Sequence, residues 1–249
     1  MSPPFLTFAL VAPMASFGAP AVGERRESWS RPGRSAILGL VGACLGLERE
    51  DDAAQATLSA EYGLALLCVS AGTPFADYHT AQVPSSSRKI RHATRAAELA
   101  APDLNTILSR RDYRTGTWHL AALWARGPAP RWPLAEIAAA MQSPAFTTYL
   151  GRKSCPLGLP LAPHLDMHSA DAPAALKARY AGGPEAAFAA SLARIQDRPL
   201  LVAMDEDRAA MGTTLRPDRS ETRRDQPRRR SAWQFDLRRE VVLRLEEGA

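Results

Sequence analysis

The chain has 249 residues, 46% of them hydrophobic and 23% charged. That is enough apolar material for one large domain or two small ones burying roughly three-quarters of their surface, and it excludes general disorder. No run of eighteen apolar residues occurs, so no membrane span is expected, and Cys44, Cys68 and Cys155 are too scattered for a disulfide framework or a zinc pair, which makes a reducing cytoplasm the expected setting.

Residues 5–12 form an apolar run. No Lys or Arg precedes Arg25 and Pro13 interrupts the run, so it reads as a buried first strand and not as a secretory leader. A loop rich in Gly, Pro and Ser follows over residues 13–33. Ser35 is then positioned to cap a helix in which Ile37, Leu38, Val41, Cys44 and Leu45 recur at helical spacing, with Gly46 as its stop. Gly39, Gly42 and Gly46 match neither a Walker loop nor a dinucleotide fingerprint and read as sites of close helix packing. Residues 48–60 predict a second short helix, and residues 64–70 a strand. Residues 77–114 are polar and separate that strand from another over 117–125; a connection of such length is a functional excursion or is disordered. Pro133 opens a helix over 134–141. A loop over 149–161 leads to Ala-rich helices over 172–180 and 184–195, and residues 200–204 and 240–245 predict strands on either side of an arginine-rich strip.

This order predicts an α+β fold: a ferredoxin-like (RRM-like) βαββαβ domain over residues 1–150, whose sheet would serve as an RNA-binding surface, and a smaller α/β extension over 151–249. Arg supplies 28 of the 31 basic residues. Nine of them fall in residues 216–239 against Asp218, Glu221, Asp225 and Asp236, which accounts for the whole net charge of +5. Guanidinium forks bind phosphates two bonds at a time and stack on bases, so the strip points to a polyanionic partner. A solvated strip in an arginine-favouring genome has the same composition.

His164 and His168 would share a helix face as metal ligands do, but Pro160, Pro163 and Pro173 make this stretch a loop and no third ligand adjoins; an exposed polar loop is expected. No nucleophile elbow or Cys–His pattern occurs. Tyr78, His79 and Lys89 form a candidate set for metal-independent RNA cleavage. Without a placed partner, His79 reads better as an RNA contact. Three clusters speak more strongly for phosphate. Arg31, Arg34 and Ser35 precede the first helix, whose N–H groups and dipole favour an anion. Arg110, Arg111, Tyr113 and Arg114 combine cations with a ring able to stack on an unpaired base. Tyr149, Gly151, Arg152, Lys153 and Ser154 repeat that recipe, with a glycine allowing close approach.

These segments also carry a resemblance. Pro13-Met14-Ala15-Ser16-Phe17-Gly18, Arg31-Pro32-Gly33-Arg34-Ser35 with Gly42-Ala43-Cys44-Leu45-Gly46, Asp77-Tyr78-His79-Thr80, Arg110-Arg111-Asp112-Tyr113 and Tyr149-Leu150-Gly151-Arg152-Lys153-Ser154-Cys155-Pro156-Leu157 resemble, in order over residues 5–161, the CasD family of type I-E CRISPR Cascade complexes. The family pattern has a threonine where this chain has Gly33 and a glycine where it has Ala36. The resemblance implies a non-catalytic subunit that caps the 5′ handle of the CRISPR RNA and starts the filament of backbone subunits, with a thumb-like insertion at about 78–114. It implies RNA contacts by the three clusters together with Ser16 and His79, and no cofactor or metal. The implied partners are the CRISPR RNA, a CasC-like backbone subunit, a CasA-like large subunit and target DNA held in the complex, with no membrane. The family's relatives in another CRISPR subtype cut repeat RNA themselves, so a metal-independent endoribonuclease is the alternative. The strip at 216–239 is expected to be an ordered basic hairpin or loop.

Overall fold

The computed structural model describes residues 3–18, 23–85, 91–193, 200–207 and 216–245. In chain order the elements are β1 (Phe5–Ala15), β2 (Phe17–Gly18), β3 (Arg25–Arg26), β4 (Ser28–Trp29), α1 (Arg34–Cys44), α2 (Asp52–Glu61), β5 (Tyr62–Ser70), β6 (Thr73–Pro84), α3 (Arg95–Leu99), β7 (Leu104–Ala125), α4 (Leu134–Gln142), β8 (His164–Asp166), α5 (Ala172–Gly182), α6 (Ala186–Leu192), β9 (Leu200–Asp205), β10 (Arg219–Arg229) and β11 (Gln234–Leu245). The architecture is mixed α/β with a mostly antiparallel sheet. Among the described residues, no helix is long and apolar enough to cross a membrane.

The apolar run at 5–12 becomes an interior strand because both of its faces are covered. Antiparallel neighbours β7 and β8 flank β1, and the sheet continues in the order β10-β11-β9-β5-β7-β1-β8. Strand alternation sends Leu6, Phe8 and Leu10 into a core with Ile37, Leu38 and Val41 of α1 and Ile137 and Met141 of α4. Phe5, Ala9 and Val11 point the other way, into a second core with Trp118, Trp124 and Leu176 of α5. The sheet face expected to receive RNA is therefore occupied by α5 and α6. The two Ala-rich helices bury it, and any nucleic-acid surface must lie elsewhere.

Strands from both sides of residue 150 share this sheet: β9 pairs with β5 through Ala65↔Met204 to Cys68↔Leu201. Most of the described residues of the polar excursion form a two-stranded ribbon. β7 runs 22 residues from the arm into the sheet, and β6 pairs with its outer half from Thr73↔Thr115 to Pro84↔Leu104. Residues 216–239 fold as the expected basic hairpin, β10 against β11. The segment read as a polar loop contains β8 instead, so His164 lies in an edge strand. His168 follows in a turn where its N–H donates to Asp166 Oδ1 at 2.9 Å.

Candidate nucleic-acid interface

Helix α1 begins two residues earlier than a Ser35 cap implies. Its N-cap is Gly33, and the anion at its N-terminus is internal: Asp225 of β10 accepts the Arg34 N–H at 2.8 Å. Gly33 makes this possible. A side chain there would meet Asp225 Oδ2 at 2.8 Å. The positive end of the helix is thus already neutralised by a carboxylate of the same chain.

The first predicted cluster is consumed in the same way. The Arg34 side chain is 0% exposed, contacts Asp205, and donates to the carbonyls of Ser59 and Tyr62 at 2.6 Å. Burial pulls its pKa down to about 10, still protonated at neutral pH. Arg31 pairs with Glu221 at 2.6 Å and also contacts Glu240. Arg223 and Arg238 complete this buried network, Arg238 reaching Asp225, Asp205 and Glu240, and Arg126 joins it at Asp205 from the exposed side. Arg31 and Arg34 are hence internal locks between α1 and the C-terminal strands, a correction to their reading as surface phosphate ligands.

The second cluster divides. Arg110 and Arg111 are exposed at the base of the arm, and Arg111 pairs in register with Arg26 of β3. Arg110 and Arg25 both bind Asp112, at 3.1 and 2.9 Å. Tyr113 is only 6% exposed, with the Arg152 guanidinium 4.5 Å above its ring. It supports an arginine and is not available to a base, again contrary to the expectation. Arg114 turns back to the Ala71 and Gly72 carbonyls. His79 is exposed on the arm beside Asp77, opposite Ser109 and so next to Arg110 and Arg111 across the β6–β7 ribbon, and Lys89 lies outside the described residues.

The third cluster sits on the turn at residues 149–155. Gly151 has φ +89°, a left-handed conformation, and an added Cβ would sit 1.6 Å from the Ser16 carbonyl oxygen. The 149–155 turn is therefore pressed against the end of β1. Ser16 itself is buried and donates to the Asp112 carbonyl at 3.1 Å. Arg152 bridges the carbonyls of Asp112 and Arg26 at 3.3 and 3.1 Å. Lys153 and Ser154 are exposed on the same turn.

Between this turn, α1 and the β10–β11 hairpin lies a cavity of about 1140 Å³. Of the predicted residues, Ser16, Ser35, Tyr149, Gly151 and Arg152 line it. Six arginines converge there (Arg26, Arg49, Arg152, Arg224, Arg228 and Arg230) with four rings, Trp29, Tyr149, Trp233 and Phe235, against two carboxylates, Glu27 and Asp236. Among the described residues only Arg228 of the six has a carboxylate within 4.0 Å, Asp236 at 3.8 Å. Burial, and then the neighbouring charge of Arg49, pull the Arg230 pKa down. Such a surplus of positive charge among flat rings suits a single-stranded polyanion. Arg26, Arg49 and the hairpin residues escape a reading of local clusters; the charge excess at 216–239 points to the hairpin arginines, and nothing local marks Arg26 or Arg49.

The family described as CRISPR-associated protein (Cas_Cas5) matches residues 5–240. The CRISPR system Cascade subunit CasD of Escherichia coli (strain K12) is 33% identical over 166 residues, 63% of this chain and 69% of that protein. A chain of a solved CRISPR RNA-guided surveillance complex has a TM-score of 0.62 at 21% identity, with 96% of this chain and 89% of that one covered. The crystal structure of a Cas protein gives 0.59 at 22% identity, covering 96% and 95%.

Proposed function

This chain belongs to the CRISPR-associated Cas5 family, and from that membership we propose that it is a non-catalytic, RNA-binding subunit of a type I-E Cascade surveillance complex, capping the 5′ handle of the guide RNA and starting the backbone filament. The observation that carries this reading is the cavity beside α1, where five arginines without carboxylate partners among the described residues meet four aromatic rings. Phosphates would take the guanidinium forks, and splayed handle bases would take the rings. The strand order β8-β1-β7-β5, with α1 and α4 on one face, supports a ferredoxin-like reading of residues 1–150 whose fourth strand, β8, comes from residues 164–166 of the extension. The β6–β7 arm is then the thumb that separates handle from guide, and residues 151–249 are an extension that completes the cavity. A CasC-like backbone subunit, a CasA-like large subunit and target DNA are the further partners, with sequence read by base pairing and not by this chain.

Counterion release gives the test. Binding of single-stranded handle RNA, followed by fluorescence anisotropy, should weaken steeply with salt, with a log–log slope of about −3 if four to five phosphates are held. Arg224→Glu, at an exposed residue of β10, should lower affinity and flatten that slope while leaving the melting temperature unchanged. An affinity indifferent to salt overturns the reading. So does metal-independent cleavage of repeat RNA that disappears in His79→Ala, which would make the exposed Asp77–His79 pair a catalytic one.

A further inference from the structure

Of the large side chains in the cavity wall, Trp233 stands apart. It is 61% exposed, whereas Trp118, Trp124 and Trp132 are buried. It holds φ +53°, a left-handed conformation that crowds a bulky residue, and its N–H closes the hairpin turn on the Arg230 carbonyl at 3.2 Å. The turn is also pinned from outside. Asp52, at the start of α2, accepts from Ser231 N at 3.1 Å, from Ser231 Oγ at 2.6 Å and from Arg229 Nε at 3.2 Å. The backbone that carries the exposed indole is thereby pinned, and the Arg49 guanidinium lies 4.6 Å from the ring centre.

Resting on the RNA-binding reading above, we propose that the tip of the β10–β11 hairpin is a stacking platform for one unpaired nucleobase. Trp233 supplies the ring, and Arg49 and Arg230 supply grips for the adjoining phosphates. A base takes the place of the Arg49 guanidinium on the indole and releases that cation to the phosphodiester beside it. Arg230 is already turned to the same cavity: it donates to the Ser35 carbonyl at 3.2 Å and occupies the room that Gly39 leaves on α1, where a Cβ would lie 2.7 Å from Nη2. Neither Arg49 nor Arg230 has a carboxylate within 4.0 Å among the described residues. An apolar protein surface on Trp233 would have to dehydrate both cations without compensation. A nucleotide offers a π face and a negative charge at the spacing of its own covalent frame. Trp233 and Arg230 lie beyond residues 5–161, the segments whose sequence carries the family resemblance, and Arg49 lies within them.

The test uses the full-length chain and a 3′-fluorescein mixed-sequence RNA octamer, with an abasic octamer of the same length as the second probe. Trp233→Ala should weaken the ordinary octamer about tenfold and leave the salt slope as in the wild type, because stacking releases no counterions. Trp233→Phe should recover most of the loss. The abasic octamer should bind wild type and Trp233→Ala alike. If Trp233→Ala binds the ordinary octamer within twofold of wild type while Arg224→Glu is impaired, the platform is wrong and the RNA-binding reading stands. Equal losses on both octamers mean that Trp233 only shapes the turn, and also overturn the proposal. Failure of the wild type to bind either octamer removes both readings.

Discussion

Two groups of arginines meet the same hairpin and have opposite fates. Arg31, Arg34, Arg126, Arg223 and Arg238 are matched by Asp205, Glu221, Asp225 and Glu240 and lock the C-terminal strands to α1 and β5. Arg26, Arg49, Arg152, Arg224, Arg228 and Arg230 face a cavity that holds two carboxylates. The division runs between adjacent residues: Arg223 is buried in the network, and Arg224, one step along an alternating strand, lines the cavity. Identical side chains act as structural struts or as anion ligands according to the carboxylates that the fold brings beside them. A count of charges along the chain does not separate the two.

The largest effect should come from breaking the matched group. Arg34→Ala removes one of the three arginines that hold Asp205, the only fully buried one, and withdraws the donors from the Ser59 and Tyr62 carbonyls. Removing one partner of a buried pair costs about 3–5 kcal/mol, which for a chain of this size is a fall of roughly 10 °C in Tm. Arg224→Ala should move stability by less than about 0.5 kcal/mol. Urea melts of the two variants decide it; equal stability would mean the network carries no load.

The field of the matched group reaches His119, where the second effect lies. This residue is fully buried against Phe17, 5.3 Å between ring centres, and neither ring nitrogen has a hydrogen-bond partner. Burial first, then the charges of Arg31 and Arg114, push its pKa down to about 3. The unfolded chain takes up its proton near pH 6.5, roughly. Between those values the unfolded state binds a proton that the folded state refuses, so stability rises with pH through the window and is level above it. The slope is at most about 1.4 kcal/mol per pH unit. His119→Phe should therefore be nearly neutral at pH 7.5 and flatten the decline between pH 6.5 and 5. An unchanged decline in the variant's urea midpoints would assign it to other groups.

What could be read along the chain follows from the range of each interaction. β1, α1, β5 and α4 announce themselves through local hydrophobic period, and the 149–155 turn through a compact string that the structure keeps in the cavity wall. The arm does not, because β6 and the outer half of β7 are mostly exposed and owe their strand form to cross-strand pairing. Arg34 misleads for the opposite reason. An Arg beside a helix start looks like an anion site until Asp225 arrives from 191 residues away, into space that only Gly33 leaves. The sheet face misleads likewise: α5 and α6 are legible as helices, but their weak apolar stripe does not say which surface they cover. The cavity joins residues 16–49, 147–152 and 224–236, a set that no local window contains.

The smallest effect has the opposite sign and tests the unmatched group most directly. Asp236 lines the cavity with its side chain 55% exposed, and its only ion pair among the described residues is the one with Arg228 at 3.8 Å. An exposed pair at that distance contributes about 0–1 kcal/mol, so Asp236→Asn should leave the urea midpoint nearly unchanged. It removes a repulsion of about 0.6 kcal/mol between a carboxylate and a phosphate some 7 Å away in water, and it frees the Arg228 fork. Affinity for the RNA octamer should rise about threefold at low salt, and the gain should vanish as added salt shortens the screening length to about 3 Å. The arginine and tryptophan substitutions above are expected to weaken binding, so an increase here reports the removed negative charge. A decrease would mean that the carboxylate accepts a hydrogen bond from a base, and the cavity would then read nucleotide identity and not only backbone charge.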